Sequence, residues 1–207
     1  MTDETPRFGY SVVASSLHDS AVVTELTTPV RSVLDSIGGA QVASEPIDDF
    51  DDVPHLFLIA TGGTERAVLD AISQRRSVLG DEPVLLVAHR AHNSLPAALE
   101  TLAAIQQAGG RGRIVFVTGD RSLDEVSLDE AVGDIEAMLR MRSTRLGIVG
   151  GPSSWLVASS PDAEVVRRRW GPDLVTVDPT RMIEMTRVPV VPKLTPVRVI
   201  FSPHVAT

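Results

Sequence analysis

The stretch Glu82-Pro-Val-Leu-Leu-Val-Ala-His-Arg-Ala-His-Asn-Ser-Leu-Pro-Ala-Ala98 decides the fold. Residues 84–88 form an uninterrupted apolar run, which predicts an internal strand covered on both faces. Polar residues follow at once, and Ser94 with Pro96 predicts a helix start at which the serine oxygen accepts from free helix amides. Because ligands of parallel sheets gather at the carboxyl ends of the strands, this loop is the first place to look for a binding site.

The composition describes a chain with a core of ordinary size. The sequence has 207 residues, enough for one large α/β domain or for one domain and part of another. Hydrophobic residues make up 43% of it but aromatic residues only 4%, so Val, Leu, Ile and Ala must build the core. Doubly wound parallel sheets have this kind of core.

Charge and residue content exclude several classes of function. The net charge is −8, and the longest basic run is Arg167–Arg169, so nucleic acid is not an expected partner. The absence of cysteine removes thiol nucleophiles, disulfides and cysteine-ligated metals. No apolar run approaches the roughly 20 residues of a membrane span, and the N-terminus lacks a signal sequence. We therefore expect a cytoplasmic protein with no membrane partner.

Strand and helix patterns alternate along the first two thirds of the chain. Predicted strands occupy residues 8–14, 40–44, 55–60, 84–88 and 113–117. Between them, apolar residues recur at spacings of three and four, as in helices that pack on a sheet. Ser122 and Glu125 predict a capping box at the start of the last of these helices. The pattern predicts an α/β fold with a flavodoxin-like (Rossmann-like), three-layer parallel sheet of strand order 2-1-3-4-5.

The pattern then restarts, which predicts three segments. Residues 1–143 form the flavodoxin-like α/β domain, and residues 144–187 form a small, partial second α/β unit with strands near 145–149 and 174–177. Short helices are expected around 155–159 and 161–170. Residues 188–207 contain four prolines, so they are predicted to be an extended tail.

A glycine loop follows the third predicted strand. The sequence Thr61-Gly62-Gly63-Thr64-Glu65 lies between that strand and a helix, where backbone amides can approach an anion or a sugar hydroxyl. The same glycines also serve turns that bind nothing. The spacing of a dinucleotide fingerprint is absent, and no Walker-type Gly-Lys-Ser/Thr occurs, so nucleotide binding is not predicted.

Three sequence blocks resemble a known family. They are Leu-Ile-Ala-Thr-Gly-Gly-Thr-Glu (58–65), Val-Leu-Leu-Val-Ala-His-Arg-Ala-His-Asn-Ser-Leu-Pro-Ala-Ala-Leu-Glu (84–100) and Arg-Leu-Gly-Ile-Val-Gly-Gly-Pro-Ser-Ser-Trp-Leu-Val-Ala-Ser (145–159). In order and spacing they resemble the L-fucose and L-arabinose isomerases and their relatives, over about residues 7–186. The resemblance implies a flavodoxin-like first domain followed by the start of a second α/β domain.

The resemblance also implies what kind of chemistry to expect. Those isomerases move a proton between adjacent sugar carbons through an enediol, using two carboxylates and a histidine around a divalent metal such as manganese. The metal-binding region of the family lies downstream of the three blocks, so no ligand can be carried over. We expect no cofactor, with a metal such as Mn²⁺ only if a separately encoded partner chain supplies the site. In the family, the first domain helps to wall the pocket of an adjacent subunit. The Pro-rich tail and a second unit too small to bury its own core well predict a homo-oligomer for this chain.

Polar residues at the predicted strand ends are the candidate site. They are His18, Thr61, Glu65, His89, His92, Asn93, Asp120, Ser153, Ser154 and Asp178. Glu65 and His89 are the predicted catalytic acid/base pair. The predicted substrate-binding residues are Thr61, Gly62, Gly63, His92, Asn93, Ser94, Ser153, Ser154 and Trp155.

Alternatives stay open for several of these residues. The histidines can equally serve structural roles, and Trp155 can be a core or interface aromatic. Glu65, His89 and His92 together are a sufficient donor set for a metal, although their spacing is not that of a helical ligand pair.

Two classes of function remain from the sequence. The first is an enzyme, a shortened relative of the sugar isomerases that binds a sugar, polyol or other small carbonyl compound and carries out proton transfer or repurposed chemistry. The second is a non-catalytic module that binds a small ligand, or a subunit that lacks the isomerase metal site and partners another chain.

Overall fold

The computed structural model describes residues 6–42, 53–80, 82–160 and 162–187. The chain divides into two compact units, residues 1–136 and 137–207. The end of the second predicted strand, at residues 43–44, and the predicted tail at 188–207 lie outside the described residues.

The first unit is an α/β fold with one parallel sheet. Its elements in chain order are β1 (Phe8–Val13), α1 (Ser20–Ser36), β2 (Gly39–Gln41), β3 (His55–Ile59), α2 (Glu65–Leu79), β4 (Val84–His89), α3 (Ser94–Gln107), β5 (Gly112–Val117) and α4 (Arg121–Arg142). The five strands lie in the order β2-β1-β3-β4-β5, and every pair is parallel. This confirms the predicted flavodoxin-like, three-layer fold.

Strand β4 is internal, as its apolar run predicts. It pairs with β3 through Leu58 and Val87 and with β5 through His89 and Val117. All six of its residues are buried. A parallel strand covered on both faces has no wet side, which is why the sequence shows no alternation here.

Helices cover both faces of the sheet. On one face, α2 and α3 pack against a cluster formed by Phe57, Ile59, Val68, Ile72, Val84, Leu86, Ala88, Ala97, Ala98 and Ile105. Alternate strand residues such as Leu58 and Val87 point to the other face. The helices α1 and α4 bury apolar stripes there, made of Val30, Val33, Leu34, Leu128, Ala131, Val132 and Ile135.

The N-terminus of α4 differs from the predicted capping box. Helix α4 begins at Arg121, and the Asp120 carboxylate accepts hydrogen bonds from the amides of Ser122 and Leu123 at 3.0 and 3.3 Å. An aspartate is as good an N-cap as a serine, and here it lies two residues earlier in the chain. The predicted box at Ser122 and Glu125 was therefore wrong, although the helix itself was predicted correctly.

The second unit contains a two-stranded parallel sheet. Its elements are β6 (Arg145–Val149), α5 (Ala163–Trp170), β7 (Asp173–Val177) and α6 (Pro179–Arg187), with β6 paired to β7. Turns and bends, not a helix, occupy the predicted helical segment at 155–159. Within the ranges that the structure describes, no helix is long and apolar enough to cross a membrane.

Candidate functional site

Two clefts lie on either side of the loop that follows β4. The glycine-loop cleft has a volume of about 350 Å³ and is lined by His18, Gly62, Gly63, Glu65, His92, Asn93, Pro96 and Ala97. Strands β1 and β3 are neighbours, but the chain leaves them toward opposite faces of the sheet. The glycine-loop cleft lies at this topological switch point, where ligands of open α/β sheets commonly bind.

The second cleft, the α1–α4 cleft, is larger, with a volume of about 830 Å³. Its walls are α1 and the beginning of α4, and its base includes residues 89–92 and 117–119. His89 and Arg90 line this cleft, whereas Glu65 lines the glycine-loop cleft. His92 lines both clefts, so the loop after β4 forms a wall between them.

The glycine loop is held by its two threonines. Thr61 is fully buried, and its Oγ1 accepts a hydrogen bond from the Ser15 amide at 2.8 Å. The Thr64 hydroxyl donates to the Thr61 carbonyl oxygen at 2.9 Å. Gly63 has a φ of +75°, which glycine adopts without strain. The threonine hydroxyls therefore shape the loop, and the binding role predicted for Thr61 stays a prediction.

The glycine loop and the loop after β4 are in direct contact. The Gly62 amide donates a hydrogen bond to the His92 carbonyl oxygen at 2.7 Å. A side chain at Gly62 would place its Cβ 2.8 Å from the Cβ of Asn93, so only glycine fits there. The structure thus brings together four of the predicted binding residues, namely Gly62, Gly63, His92 and Asn93.

His92 and Asn93 have strained backbones. Their φ angles are +50° and +57°, in the left-handed region that residues other than glycine rarely adopt. Such conformations cost of order 1–3 kcal/mol each, so they persist only where the surrounding structure holds them. They are found often at active sites and ligand-binding sites. Here the bonds from Gly62 to His92 and from the Ala97 amide to the Asn93 carbonyl hold them, the latter at 3.1 Å.

Two histidines meet at the glycine-loop cleft. The rings of His18 and His92 lie edge to face, with their centroids 5.2 Å apart and their planes at 79°. The Nδ1 atom of His18 is buried, and within the described part of the chain it has no hydrogen-bond partner. The sequence places His18 among the polar strand ends but assigns it no role. The sequence signal for a role of His18 in the site was its position in the loop after β1, at the switch point.

His89 is engaged by the backbone at both ring nitrogens. Nδ1 accepts a hydrogen bond from the Ala91 amide at 3.3 Å, so Nε2 carries the proton and donates to the Ala60 carbonyl oxygen at 3.0 Å. Burial lowers the pKa of His89; the Ala60 hydrogen bond opposes this shift, and the nearby charge of His92 adds to it. The structure therefore holds His89 as a neutral ring with its two nitrogens occupied.

The predicted catalytic pair does not share a cleft. Along β4, His89 points to the same face as Leu85 and Val87, opposite to the face that carries α2 and Glu65. Glu65 instead lines the glycine-loop cleft together with His18 and His92. The catalytic role of His89 stays a prediction, and its geometry favours a structural role.

Ser94 ties three elements together. Its hydroxyl accepts a hydrogen bond from the His89 amide at 3.0 Å and donates one to the Ile59 carbonyl oxygen. The side chain is fully buried. The predicted capping of free helix amides by Ser94 was wrong, because the N-cap of α3 is Asn93 and the Ser94 oxygen is bonded to β4 instead. The substrate-binding role predicted for Ser94 stays a prediction.

Glu65, His89 and His92 do not assemble into a metal site. Among the residues that the structure describes, no three His, Asp or Glu side chains are grouped so that they could hold a metal ion. Glu65, His89 and His92 cannot hold one ion together because Glu65 and His89 line different clefts.

Ser153, Ser154 and Trp155 belong to the second unit. They follow β6 and two glycines, Gly150 and Gly151, with φ angles of +79° and +73°. The Leu156 amide donates to the Ser153 carbonyl oxygen at 3.1 Å, which closes a turn, and Trp155 is largely exposed. The binding roles of these three residues stay predictions.

The glycine-loop cleft combines groups that suit a small polar ligand. Glu65 supplies a carboxylate, and His18 and His92 supply imidazoles. The first three amides of α2 have no partner within the helix, and the Thr64 side chain does not cap them. A ligand hydroxyl group can donate to the Glu65 carboxylate. A ligand hydroxyl or carbonyl oxygen can accept from an imidazole N–H or from a helix amide.

The chain was compared with protein-family models and with curated proteins. No protein-family model matches it, and no curated protein matches it. The resemblance to the L-fucose and L-arabinose isomerases therefore rests on the three sequence blocks alone.

Proposed function

We propose that this protein binds a sugar, polyol or other small carbonyl compound in the glycine-loop cleft. The observation that carries the proposal is the meeting of the two loops. Gly62 is packed against Asn93, and the strained backbone at His92 and Asn93 places both residues at the cleft. Backbone conformations of this kind are found often at ligand-binding sites, which supports a binding role for this loop.

The groups in this cleft also support proton-transfer chemistry of the isomerase type. The Glu65 carboxylate removes a proton from the carbon next to a ligand carbonyl group. An imidazole N–H of His92 or His18 protonates the carbonyl oxygen, which gives the enediol. Glu65 then returns its proton to the former carbonyl carbon, while the hydroxyl group of the neighbouring carbon gives its proton to that imidazole and becomes the new carbonyl group. Glu65 thus remains one member of the predicted acid/base pair, and His92 or His18 takes the place of His89.

The second candidate is a module that binds without catalysis. The observation that favours it is that, among the described residues, Glu65 is the one carboxylate lining the glycine-loop cleft. The sugar isomerases that the sequence resembles use two carboxylates around a metal. In this case a separately encoded partner chain supplies the metal site, with a divalent ion such as Mn²⁺. In either case we expect a cytoplasmic homo-oligomer.

Ligand-dependent thermal stabilisation tests the binding proposal. A panel of aldoses, ketoses and polyols is added to the protein, and we expect at least one class to raise Tm with saturable dependence. Glu65→Gln and His92→Ala should each reduce that rise, because both side chains line the cleft. Glu100→Gln is the matched control, since Glu100 is exposed on α3 and outside the cleft. Stabilisation that persists in both cleft variants would contradict the proposal.

Deuterium exchange separates the enzyme from the binding module. The stabilising sugar is incubated with the protein in D₂O, and NMR follows loss of the proton next to the carbonyl group. An enzyme exchanges this proton, and Glu65→Gln abolishes the exchange. If the protein is a binding module, the sugar stabilises it but no proton exchanges. Addition of a candidate partner chain with Mn²⁺ should then start the exchange.

A further inference from the structure

The α1–α4 cleft is separate from the proposed sugar site. Its volume of about 830 Å³ falls within the roughly 300–1,000 Å³ of small-molecule sites. It opens on the face of the sheet that carries α1 and α4, across the loop after β4 from Glu65. Its lining is mostly apolar, with charged groups added from α1, from the loop after β4 and from the start of α4.

Helix α1 supplies the apolar wall of the cleft. Val22, Leu26, Pro29 and Val33 recur at spacings of four, three and four, so they lie along one stripe of the helix. The lower part of the stripe is buried against the sheet at Val33, whereas Val22 at the upper end is 37% exposed. The apolar stripe therefore continues beyond the sheet into the cleft.

Two arginines supply positive charge in the same cleft. Arg90 follows β4, and Arg121 begins α4 and donates to the Ser32 hydroxyl at 3.1 Å. Asp124 also lines the cleft, but its carboxylate is already used. One oxygen accepts from the Thr118 amide and hydroxyl at 2.7 and 3.0 Å, and the other accepts from the Gly119 amide at 2.9 Å.

Glu25 is the remaining carboxylate among the described residues of the lining, and it is exposed. Pro29, one turn further along α1, has no amide proton. The Glu25 carbonyl oxygen, whose helical partner would be that amide, therefore lacks its usual donor at the cleft wall. The cleft thus has an apolar wall, two guanidinium groups, one exposed carboxylate and a backbone acceptor.

We propose that the α1–α4 cleft binds a small amphipathic anion, such as a medium-chain carboxylate. The anionic head pairs with Arg90 and Arg121, and the apolar body lies along Val22, Leu26 and Pro29. Charge complementarity favours this occupant. A carboxylate can form charge-assisted hydrogen bonds with both guanidinium groups, whereas an uncharged apolar molecule forms none. None of these five residues lines the glycine-loop cleft, so occupancy of this site does not depend on the proposed sugar function.

Isothermal titration calorimetry with octanoate tests the proposal, with 1-octanol as the uncharged probe of the same length. We expect one octanoate to bind per chain and octanol to bind more weakly. The double variant Arg90→Gln/Arg121→Gln should weaken octanoate binding by roughly tenfold, since each exposed ion pair contributes up to about a factor of five. Glu25→Gln should strengthen octanoate binding, because it removes the opposing charge.

Matched variants show whether the two cleft arginines, and not the overall charge of the protein, hold the octanoate head. Arg66→Gln makes the same charge change as either single arginine variant, on the exposed surface of α2 and outside both clefts, and should leave octanoate affinity unchanged. Glu65→Gln should also leave it unchanged, because Glu65 lines the other cleft. If the double variant does not fold, the single arginine variants and Glu25→Gln give the same comparison. Absence of octanoate binding, or equal affinity in the wild-type and arginine variants, overturns the proposal.

Discussion

His55 is a buried histidine with a clear consequence for stability. It is 4% exposed, its Nε2 lies 3.0 Å from the Ser11 Oγ, and its ring packs on Phe57 at 4.9 Å. Burial lowers the pKa of His55 to about 3, and the positive charge of Arg75 acts in the same direction. Arg75 is itself buried and forms an ion pair with Glu82. His55 is therefore neutral in the folded protein at any ordinary pH.

The neutrality of His55 predicts loss of stability in acid. The unfolded chain protonates this residue below pH 6.5, whereas the folded chain does so only near pH 3. The stability that is present above pH 6.5 is therefore lost as the pH falls toward 3, by up to about 1.4 kcal/mol per pH unit. His55→Gln should remove this share of the slope in urea unfolding measured at a series of pH values. Equal slopes in the two proteins would contradict the assignment.

At the scale of elements, Ser94 connects β3, β4 and α3 through one hydroxyl. Its two hydrogen bonds, from the His89 amide and to the Ile59 carbonyl oxygen, are both buried. The ends of two neighbouring strands and the start of a helix are thus fixed relative to each other. This junction carries the strained residues His92 and Asn93, which require a rigid support.

Ser94→Ala should destabilise the protein by about 1–3 kcal/mol, because it leaves a buried amide and a buried carbonyl group without a partner. The free energy of unfolding in urea measures this loss. Ser77→Ala is the matched control. Its hydroxyl bonds to the Gln74 carbonyl oxygen on the exposed side of α2, so its effect should stay within about 0.5 kcal/mol. Similar effects at the two serines would show that the junction carries no special energy.

The sequence also predicted the helices and strands better than it predicted individual side-chain contacts. The apolar run of β4 predicts burial on both faces, and the number of βα units and their short connections favour the order β2-β1-β3-β4-β5 that the structure has. The cap at Asp120 was missed because an aspartate and a serine two residues apart are nearly equal as N-caps. The Ser94 hydroxyl was assigned to the helix, since a sequence does not show that a neighbouring strand offers it a donor.

The candidate site was predicted only in part, and the reason is geometric. Residues at the ends of parallel strands share one edge of the sheet, so the meeting of Gly62 and Gly63 with His92 and Asn93 followed from the fold. The face to which each residue points depends on the register within the strand. His89 directly follows Ala88 in β4, so the two side chains point to opposite faces of the sheet. His89 therefore faces α1 and α4 and not Glu65. The left-handed backbone at His92 has only a weak sequence signal, because His and Asn adopt positive φ more often than other residues with a side chain but seldom do so.

At the scale of the whole molecule, we expect a homo-oligomer. A two-stranded sheet with two helices is too small to cover its own apolar side chains. In the second unit, Trp155 and Trp170 are 73% and 63% exposed, and Ile183 is 54% exposed. Where such exposed apolar groups are contiguous they mark contact surfaces, and this is the surface on which we expect a second copy of the chain to pack. Light scattering coupled to size-exclusion chromatography should give a multiple of the 22.2 kDa chain mass, and a single-chain mass at all concentrations would contradict this expectation.

The wall between the two clefts has one more consequence. His92 faces both of them, and its backbone is fixed to Gly62 on one side and to the Ser94 junction on the other. A molecule that turned this ring from one cleft would change the lining of the other, and for such molecules, although each site can be filled alone, we expect the two affinities to be coupled. Thermodynamic linkage then requires that each changes the affinity of the other by the same factor.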